Sequence, residues 1–264
     1  MHNFNYHKPS SVEAAAQALS AASDGTLVAG GMTLIPTLKH RLADPTDVVD
    51  LGGVAALRGI SEDGGNVVIG AMTTHAEVAS NATVKSKIPA LATLAESIGD
   101  PQVRNRGTIG GSVANNDPAA DYPAALVGLG ATVRTNKREI AADNFFTGLF
   151  ETALAEGEVI TAVAFPVPEK AGYAKFPNPA SRYAIVGVMV STGPAGIRVA
   201  VTGAGACVFR AAAMEAALGG GFSAVALDGA SIAADDLNSD IHASAEYRAH
   251  LVGVMARRAV TAAG

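Results

Sequence analysis

Hydrophobic and polar positions change their period several times along this chain, and each change predicts an element. Ser10 followed three residues later by Glu13 has the capping-box pattern, and Val12, Ala15, Ala16 and Leu19 recur behind it at helical spacing. A short amphipathic helix is expected there. Asp24-Gly25 then turns the chain into a strand at 26–28. Ala29-Gly30-Gly31 leads from that strand into Leu34, Ile35, Leu38 and Leu42, again at helical spacing, with a stop near Pro45. A second strand at 47–51 completes a βαβ unit with its Gly-Gly at the strand-to-helix turn.

Beyond Gly52-Gly53 the segments shorten, and strands at 57–60 and 66–69 joined through Asp63-Gly64-Gly65 read as a hairpin opening a second lobe. Ile88, Leu91, Leu94, Ala95 and Ile98 mark the buried stripe of a helix. A special-residue loop at 100–116 follows, then strands at 131–134 and 159–165. The Pro166-Val167-Pro168-Glu169-Lys170 stretch is the best boundary. After it come strands at 173–176, 184–190, 197–201 and 206–209 and helices at 211–218 and 243–260, with Tyr247, Leu251, Val254 and Arg258 marking one side of the last helix.

Composition narrows the function. With 264 residues, 49% apolar and 16% charged, the chain is globular and large enough for two or three lobes. Its 19 Lys+Arg against 24 Asp+Glu give a net charge of −5, which is no nucleic-acid footprint. No apolar run reaches spanning length, and the polar start, Met1 to Ser10, does not look like a signal peptide, so a cytoplasmic location is expected. The single cysteine, Cys207, excludes a local iron–sulfur or multi-thiolate zinc site and reads as a small buried residue. Six scattered histidines show no ligand spacing, so no metal site is expected.

Two glycine turns carry candidate chemistry: Ala29-Gly30-Gly31-Met32-Thr33 and Gly107-Thr108-Ile109-Gly110-Gly111-Ser112. Glycine lets a backbone approach an anion and point successive N–H groups into one concavity, and a hydroxyl adds a donor. The first turn also opens a helix, whose N-terminus favours negative charge. Each turn alone could be only a tight turn. Together they suggest a diphosphate clamped between two lobes, with Arg104 and Arg106 adding positive potential. The run Thr202-Gly203-Ala204-Gly205 resembles half a dinucleotide fingerprint, but too little chain follows for the βαβ units it requires.

The run 29–34, the run Gln102 to Ser112, and Asp117-Pro118-Ala119-Ala120-Asp121-Tyr122-Pro123 together resemble the FAD-binding subunit of molybdenum hydroxylases, the xanthine dehydrogenase and aerobic carbon monoxide dehydrogenase family. Residues 173–184 and 244–248 resemble the C-terminal lobe of the same subunits. The resemblance implies an α+β fold: an FAD-binding domain of p-cresol methylhydroxylase and vanillyl-alcohol oxidase (PCMH/VAO) type, made of two α/β subdomains at 1–55 and 56–168, then a C-terminal strand-rich α+β lobe at 171–264. It also implies FAD as cofactor. Ala29, Gly30, Gly31, Met32, Thr33 and Leu34 would form the first diphosphate loop, and Thr108, Ile109, Gly110, Gly111 and Ser112 the second. Asp121 would accept hydrogen bonds from cofactor hydroxyls, Lys175 would lie at the flavin end, and Tyr183 would approach the ring. A valine at Gly110 would then intrude on the diphosphate while leaving most of the fold intact.

The departures are Met32 and Thr33, where many members carry His and Ser, and Arg182, where many carry Asp. The implied function is an oxidoreductase subunit, inactive on substrate alone. It would relay electrons from [2Fe–2S] clusters on a small subunit, fed by a molybdenum-cofactor large subunit, to quinone, NAD or oxygen. The alternatives are a self-contained flavin oxidoreductase of the same fold and a flavin-free scaffold subunit.

Overall fold

Three main sheets organise the chain, and the computed structural model describes all of residues 1–264. The first unit runs β1 (Asn5–His7), α1 (Val12–Ala21), β2 (Gly25–Val28), α2 (Leu34–Lys39) and β3 (Asp47–Asp50). Its strands are parallel in the order β1-β3-β2, so the expected βαβ unit is present with one further strand on its far side. That strand, Asn5-Tyr6-His7, is too short and polar to show a period; His7 Nε2 meets Asp47 Oδ1 at 2.7 Å across the pair.

Two details of this unit correct the sequence reading. The cap of α1 is Ser11, whose side chain accepts from the Ala14 N–H at 3.1 Å, so Ser10 and Glu13 form no capping box. α2 ends at Lys39, leaving Leu42 at 78% exposure after a left-handed Arg41. Leu42 matched the helical period but lies beyond the helix.

The second unit opens with the hairpin β4 (Ile60–Asp63) and β5 (Asn66–Gly70). Gly64 and Gly65 both take positive φ, +57° and +84°, as a two-residue hairpin turn requires. Residues 57–59 are not strand, because Ala55–Leu57 closes a 3-10 turn that buries Leu57. Helices α3 (His75–Ser80), α4 (Ala82–Lys87), α5 (Pro89–Glu96), α6 (Pro101–Arg106), α7 (Ile109–Asn115) and α8 (Tyr122–Leu129) follow. The capping box that does form is Thr74 with Glu77, at the start of α3.

The segment read as a loop, 100–116, is two short helices. Asp100 caps α6, accepting from the Val103 N–H at 2.8 Å, and Thr108 caps α7, accepting from the Gly111 N–H at 3.2 Å. Pro101 and Asn105 masked the first helix and Gly110, Gly111 and Asn115 the second, since each is held by its cap and its neighbours rather than by propensity.

β6 (Thr132–Thr135), β7 (Glu139–Ala141), the small hairpin β8 (Phe146–Gly148) and β9 (Glu151–Thr152), and β10 (Ile160–Pro166) complete the unit. Its sheet is antiparallel in the order β4-β5-β10-β6-β7.

The third unit is the antiparallel sheet β11 (Lys170–Pro177), β12 (Ala184–Thr192), β13 (Arg198–Thr202) and β14 (Phe209–Arg210), with α9 (Ala212–Gly219) and α10 (Ala245–Ala263). All eight residues of α8 are buried, because it lies between the second unit's core and this sheet. A Cβ on Gly128 of α8 would stand 2.6 Å from Met189 Cγ, which shows how closely helix and sheet approach. The buried side of α10 is Arg248, Leu251, Val252, Met255, Ala256, Ala259 and Val260; Tyr247 and Arg258 point outward, one step off the expected stripe. Arg248 made the difference, since a buried arginine breaks the apolar period. Its guanidinium donates to the carbonyls of Ile185 (2.6 Å) and Gly203 (2.9 Å) and pairs with Asp240 (2.7 Å).

Candidate cofactor-binding site

A cleft of about 730 Å³ runs between the first two units and reaches the third. It is lined by residues 29–34, by Gly107, Thr108, Gly110, Gly111 and Ser112, and by Asp121 and Tyr183. The two glycine turns therefore face one space. They differ in what they offer to it.

In the first turn the N–H groups of Gly30, Gly31, Met32, Thr33 and Leu34 donate to no protein group; the first amide engaged is that of Ile35, which bonds the Gly31 carbonyl at 3.0 Å. Gly31 has φ +76°, the left-handed conformation that turns consecutive amides toward one point. These unpartnered amides stand at the start of α2, with Met32 (39% exposed) and Thr33 exposed beside them.

The second turn is a wall of the cleft. Ile109 N–H bonds the Thr73 carbonyl (3.1 Å), Gly110 N–H bonds the Ala71 carbonyl (2.8 Å), and Gly111 N–H bonds Thr108 Oγ1. Ile109 is fully buried and does not line the cleft. A Cβ on Gly110 would stand 2.6 Å from Ala71 Cβ and 2.8 Å from the Ala71 carbonyl oxygen, so this glycine serves packing against the strand end. Successive amides without a protein partner are thus found in the first turn alone. Sequence could not separate the two turns, because both show adjacent glycines and a hydroxyl.

Arg104 is also accounted for, donating to the carbonyls of Ile98 (2.9 Å) and Gly99 (3.0 Å), while Arg106 is exposed. His75, a residue the sequence gave no role, lines the cleft behind Gly107 at 4% exposure. Its ring lies 5.3 Å from that of Tyr122, and its Nδ1 has no partner. Burial, with Arg104 nearby, lowers its pKa to about 4, so it is a neutral imidazole.

Asp121 precedes α8 and is 5% exposed. The third unit holds this segment in place: Thr202 Oγ1 donates to the carbonyls of Pro118 (3.0 Å) and Ala120 (2.7 Å), and Ala184 N–H donates to the Ala119 carbonyl. The Tyr173 hydroxyl donates to Asp121 Oδ1, and Lys175 Nζ lies 3.0 Å from Oδ1 and 3.1 Å from Oδ2. Lys175 itself does not line the cleft; it reaches Asp121 from the other side. Burial raises the Asp121 pKa against the opposing pull of Lys175 and Tyr173. Tyr183 stands just before β12 at 47% exposure, on the cleft and outside the third core. Cys207 is only half-buried, 3.7 Å from Asn116 Nδ2. No cluster of ligating side chains could hold a metal ion, and no helix is long and apolar enough to cross a membrane.

A parallel unit, an antiparallel unit and a third sheet that fixes the Asp121 segment thus surround one cleft faced by both glycine turns, in a mixed helix-and-sheet protein. The chain belongs to the FAD-binding medium subunits of the molybdenum hydroxylases. Residues 2–168 match the FAD binding domain in molybdopterin dehydrogenase, and residues 171–263 match the CO dehydrogenase flavoprotein C-terminal domain. The nicotine 6-hydroxylase medium subunit of Paenarthrobacter nicotinovorans is 39% identical over 98% of this chain and 96% of its own length. The carbon monoxide dehydrogenase medium chain of Hydrogenophaga pseudoflava is 36% identical over the same shares. Among solved structures, carbon monoxide dehydrogenase from Hydrogenophaga pseudoflava aligns with TM-score 0.90 and 37% identity, covering 99% of this chain and 97% of that one. Quinoline 2-oxidoreductase from Pseudomonas putida 86 aligns with TM-score 0.88 and 30% identity, covering 99% and 96%.

Proposed function

We propose that the cleft holds FAD with its diphosphate on the amides of residues 30–34, and that this chain relays electrons from [2Fe–2S] clusters on a small subunit to an external acceptor such as quinone, NAD or oxygen. The observation that carries the reading is the row of unpartnered N–H groups in the first turn, an arrangement that a diphosphate would satisfy. Bound flavin supplies the interconversion between single-electron and two-electron transfer. Thr108, Gly111 and Ser112 would close the diphosphate from the opposite wall, while Ile109 and Gly110 would act by holding that wall to residues 71–73. Asp121 keeps acceptor capacity for cofactor hydroxyls beyond its bonds to Tyr173 and Lys175, since a carboxylate offers about four lone-pair sites. Tyr183 would stand at the ring, and Lys175 would act at the flavin end through Asp121.

The single cysteine supports a division of labour, with the clusters on a cysteine-rich partner and substrate oxidation on a molybdenum-cofactor large subunit. A cytoplasmic setting fits that reducing chemistry. The test is to purify the chain with its copurifying partners. One stoichiometric flavin on this chain, a cysteine-rich small partner, and no substrate oxidation by the isolated chain are expected. A colourless chain that takes up no added FAD would overturn the reading in favour of a scaffold. Isolated turnover of a small molecule would favour a self-contained flavoenzyme.

A further inference from the structure

Asp121 stands between two spaces. On one side it lines the large cleft; on the other, its partners Tyr173 and Lys175 line a separate polar groove of about 450 Å³ with Thr93, Ser97, Asn178 and Arg182. Tyr173 and Lys175 are two residues apart on β11 and so project from the same face of the strand. Their side chains are buried, with Lys175 at 7% exposure, and Lys175 Nζ also donates to the Ser97 carbonyl at 3.0 Å. Stability alone does not account for this cluster, because a buried ion pair is on average no more stable than apolar residues of the same volume.

We propose that Lys175 and Asp121, positioned by Tyr173, form a proton path through the wall between the outer groove and the cofactor cleft. The proposal rests on the reading that the cleft holds FAD. Electrons delivered by iron–sulfur centres bring no protons, whereas full reduction of a flavin consumes two electrons and two protons: FAD + 2 e⁻ + 2 H⁺ → FADH₂. The protons must therefore come from solvent. In each transfer an N–H bond of Lys175 breaks as an O–H bond forms on Asp121 Oδ2. That O–H bond then breaks as the proton passes to the electron-reduced flavin in the cleft, and Lys175 takes a proton from water in the groove, leaving there the hydroxide that solvent buffers. No side chain is oxidised or reduced, and the same steps run backwards on reoxidation.

Tyr173, donating to Oδ1, leaves Oδ2 as the oxygen free to carry the proton. Burial brings the protonated carboxyl within reach. The other titratable groups that feel the Asp121 charge are Tyr122, next in the chain, and Tyr183.

Lysine is essential to this scheme, because arginine keeps the charge and donors but does not release a proton in proteins. The test uses the full chain loaded with FAD, reduced anaerobically by methyl viologen radical, which delivers electrons without protons. A pH-indicator dye in weak buffer reports proton uptake while flavin absorbance reports reduction. In the unmodified chain, uptake keeps pace with bleaching. In Lys175→Arg at full flavin content, uptake slows by at least about a hundredfold, the lower end of the range for a lost acid–base group. Unslowed uptake in that variant overturns the path. If Lys175→Arg does not retain FAD, Tyr173→Phe is read in the same assay: slowed uptake supports the path and unchanged uptake overturns it. Absence of flavin from the unmodified chain would instead overturn the cofactor reading on which the path rests.

Discussion

Gly30 packs directly on the carbonyl group of Arg106. A Cβ on Gly30 would overlap that carbonyl oxygen and stand 2.8 Å from its carbon and 2.9 Å from Gly107 Cα. The two glycine turns, one from each unit, are therefore in backbone contact, an approach that a side chain on Gly30 would prevent. Gly30→Ala is expected to push the turns apart, lowering FAD affinity at least about tenfold and stability by roughly 1–3 kcal/mol. Fluorescence titration with FAD and chemical denaturation check the two effects separately.

Gly110 behaves differently. Because its missing Cβ faces Ala71, Gly110→Val would overpack the junction of β5 with α7 before any side chain reached the cleft. Its expected effect is loss of folded protein, by roughly 1–3 kcal/mol or more. A soluble variant with unchanged denaturation midpoint and absent flavin would restore the expectation made from sequence.

His75 makes stability depend on pH. Its folded pKa is about 4, below the roughly 6.5 of an unfolded histidine. Between those values the unfolded chain binds a proton that the folded chain does not, so stability is full above about pH 6.5 and falls as pH drops toward 4. The loss across that window is roughly 2–4 kcal/mol. Denaturation at pH 7 and pH 5 should show this slope, and His75→Leu should flatten it.

Glu158 acts with the same sign in a more acidic window. Its buried carboxylate accepts from Arg138 (3.0 and 3.1 Å), Thr135 Oγ1 (2.7 Å) and the Ala155 N–H (2.8 Å), and the Arg138 guanidinium foremost holds its pKa down at about 2. Its contribution is present above the unfolded pKa of about 4.3 and is lost as pH falls toward 2. Glu158→Gln should cost roughly 1–3 kcal/mol at neutral pH, the lower part of that range being favoured by the half-exposed Arg138. Thermal denaturation at neutral pH would reveal it.

Elements with a clear period were legible in the sequence. β2, β3, β5, β12 and α5 fall within a residue or two of their predicted positions, because their apolar positions are the buried ones. α6 and α7 were not, since no apolar stripe distinguishes Pro101–Arg106, and α7 is held by the Thr108 cap and by amides that bond residues 71 and 73. The buried face of α10 was shifted by Arg248, whose charge is matched by carbonyls from β12 and the end of β13 that lie far away in sequence. Cys207 reads as buried beside a strand, but no strand forms at 206–208 and the thiol is half-exposed.

By itself the sequence determined the order of the units, the positions of both glycine turns, the family and its cofactor. These are local or ordered properties: a glycine pair permits close approach wherever it stands, and a motif keeps its spacing. Only the tertiary structure decided which glycines face the cleft and which face a strand, that His75 backs Gly107, and that Lys175 reaches Asp121 from outside the cleft. The physical reason is that direction and burial are set by partners distant in the chain. The amides of residues 30–34 are open and those of residues 109–111 are closed because the end of β5 and the Thr108 hydroxyl supply acceptors to the second turn and no protein group accepts from the first.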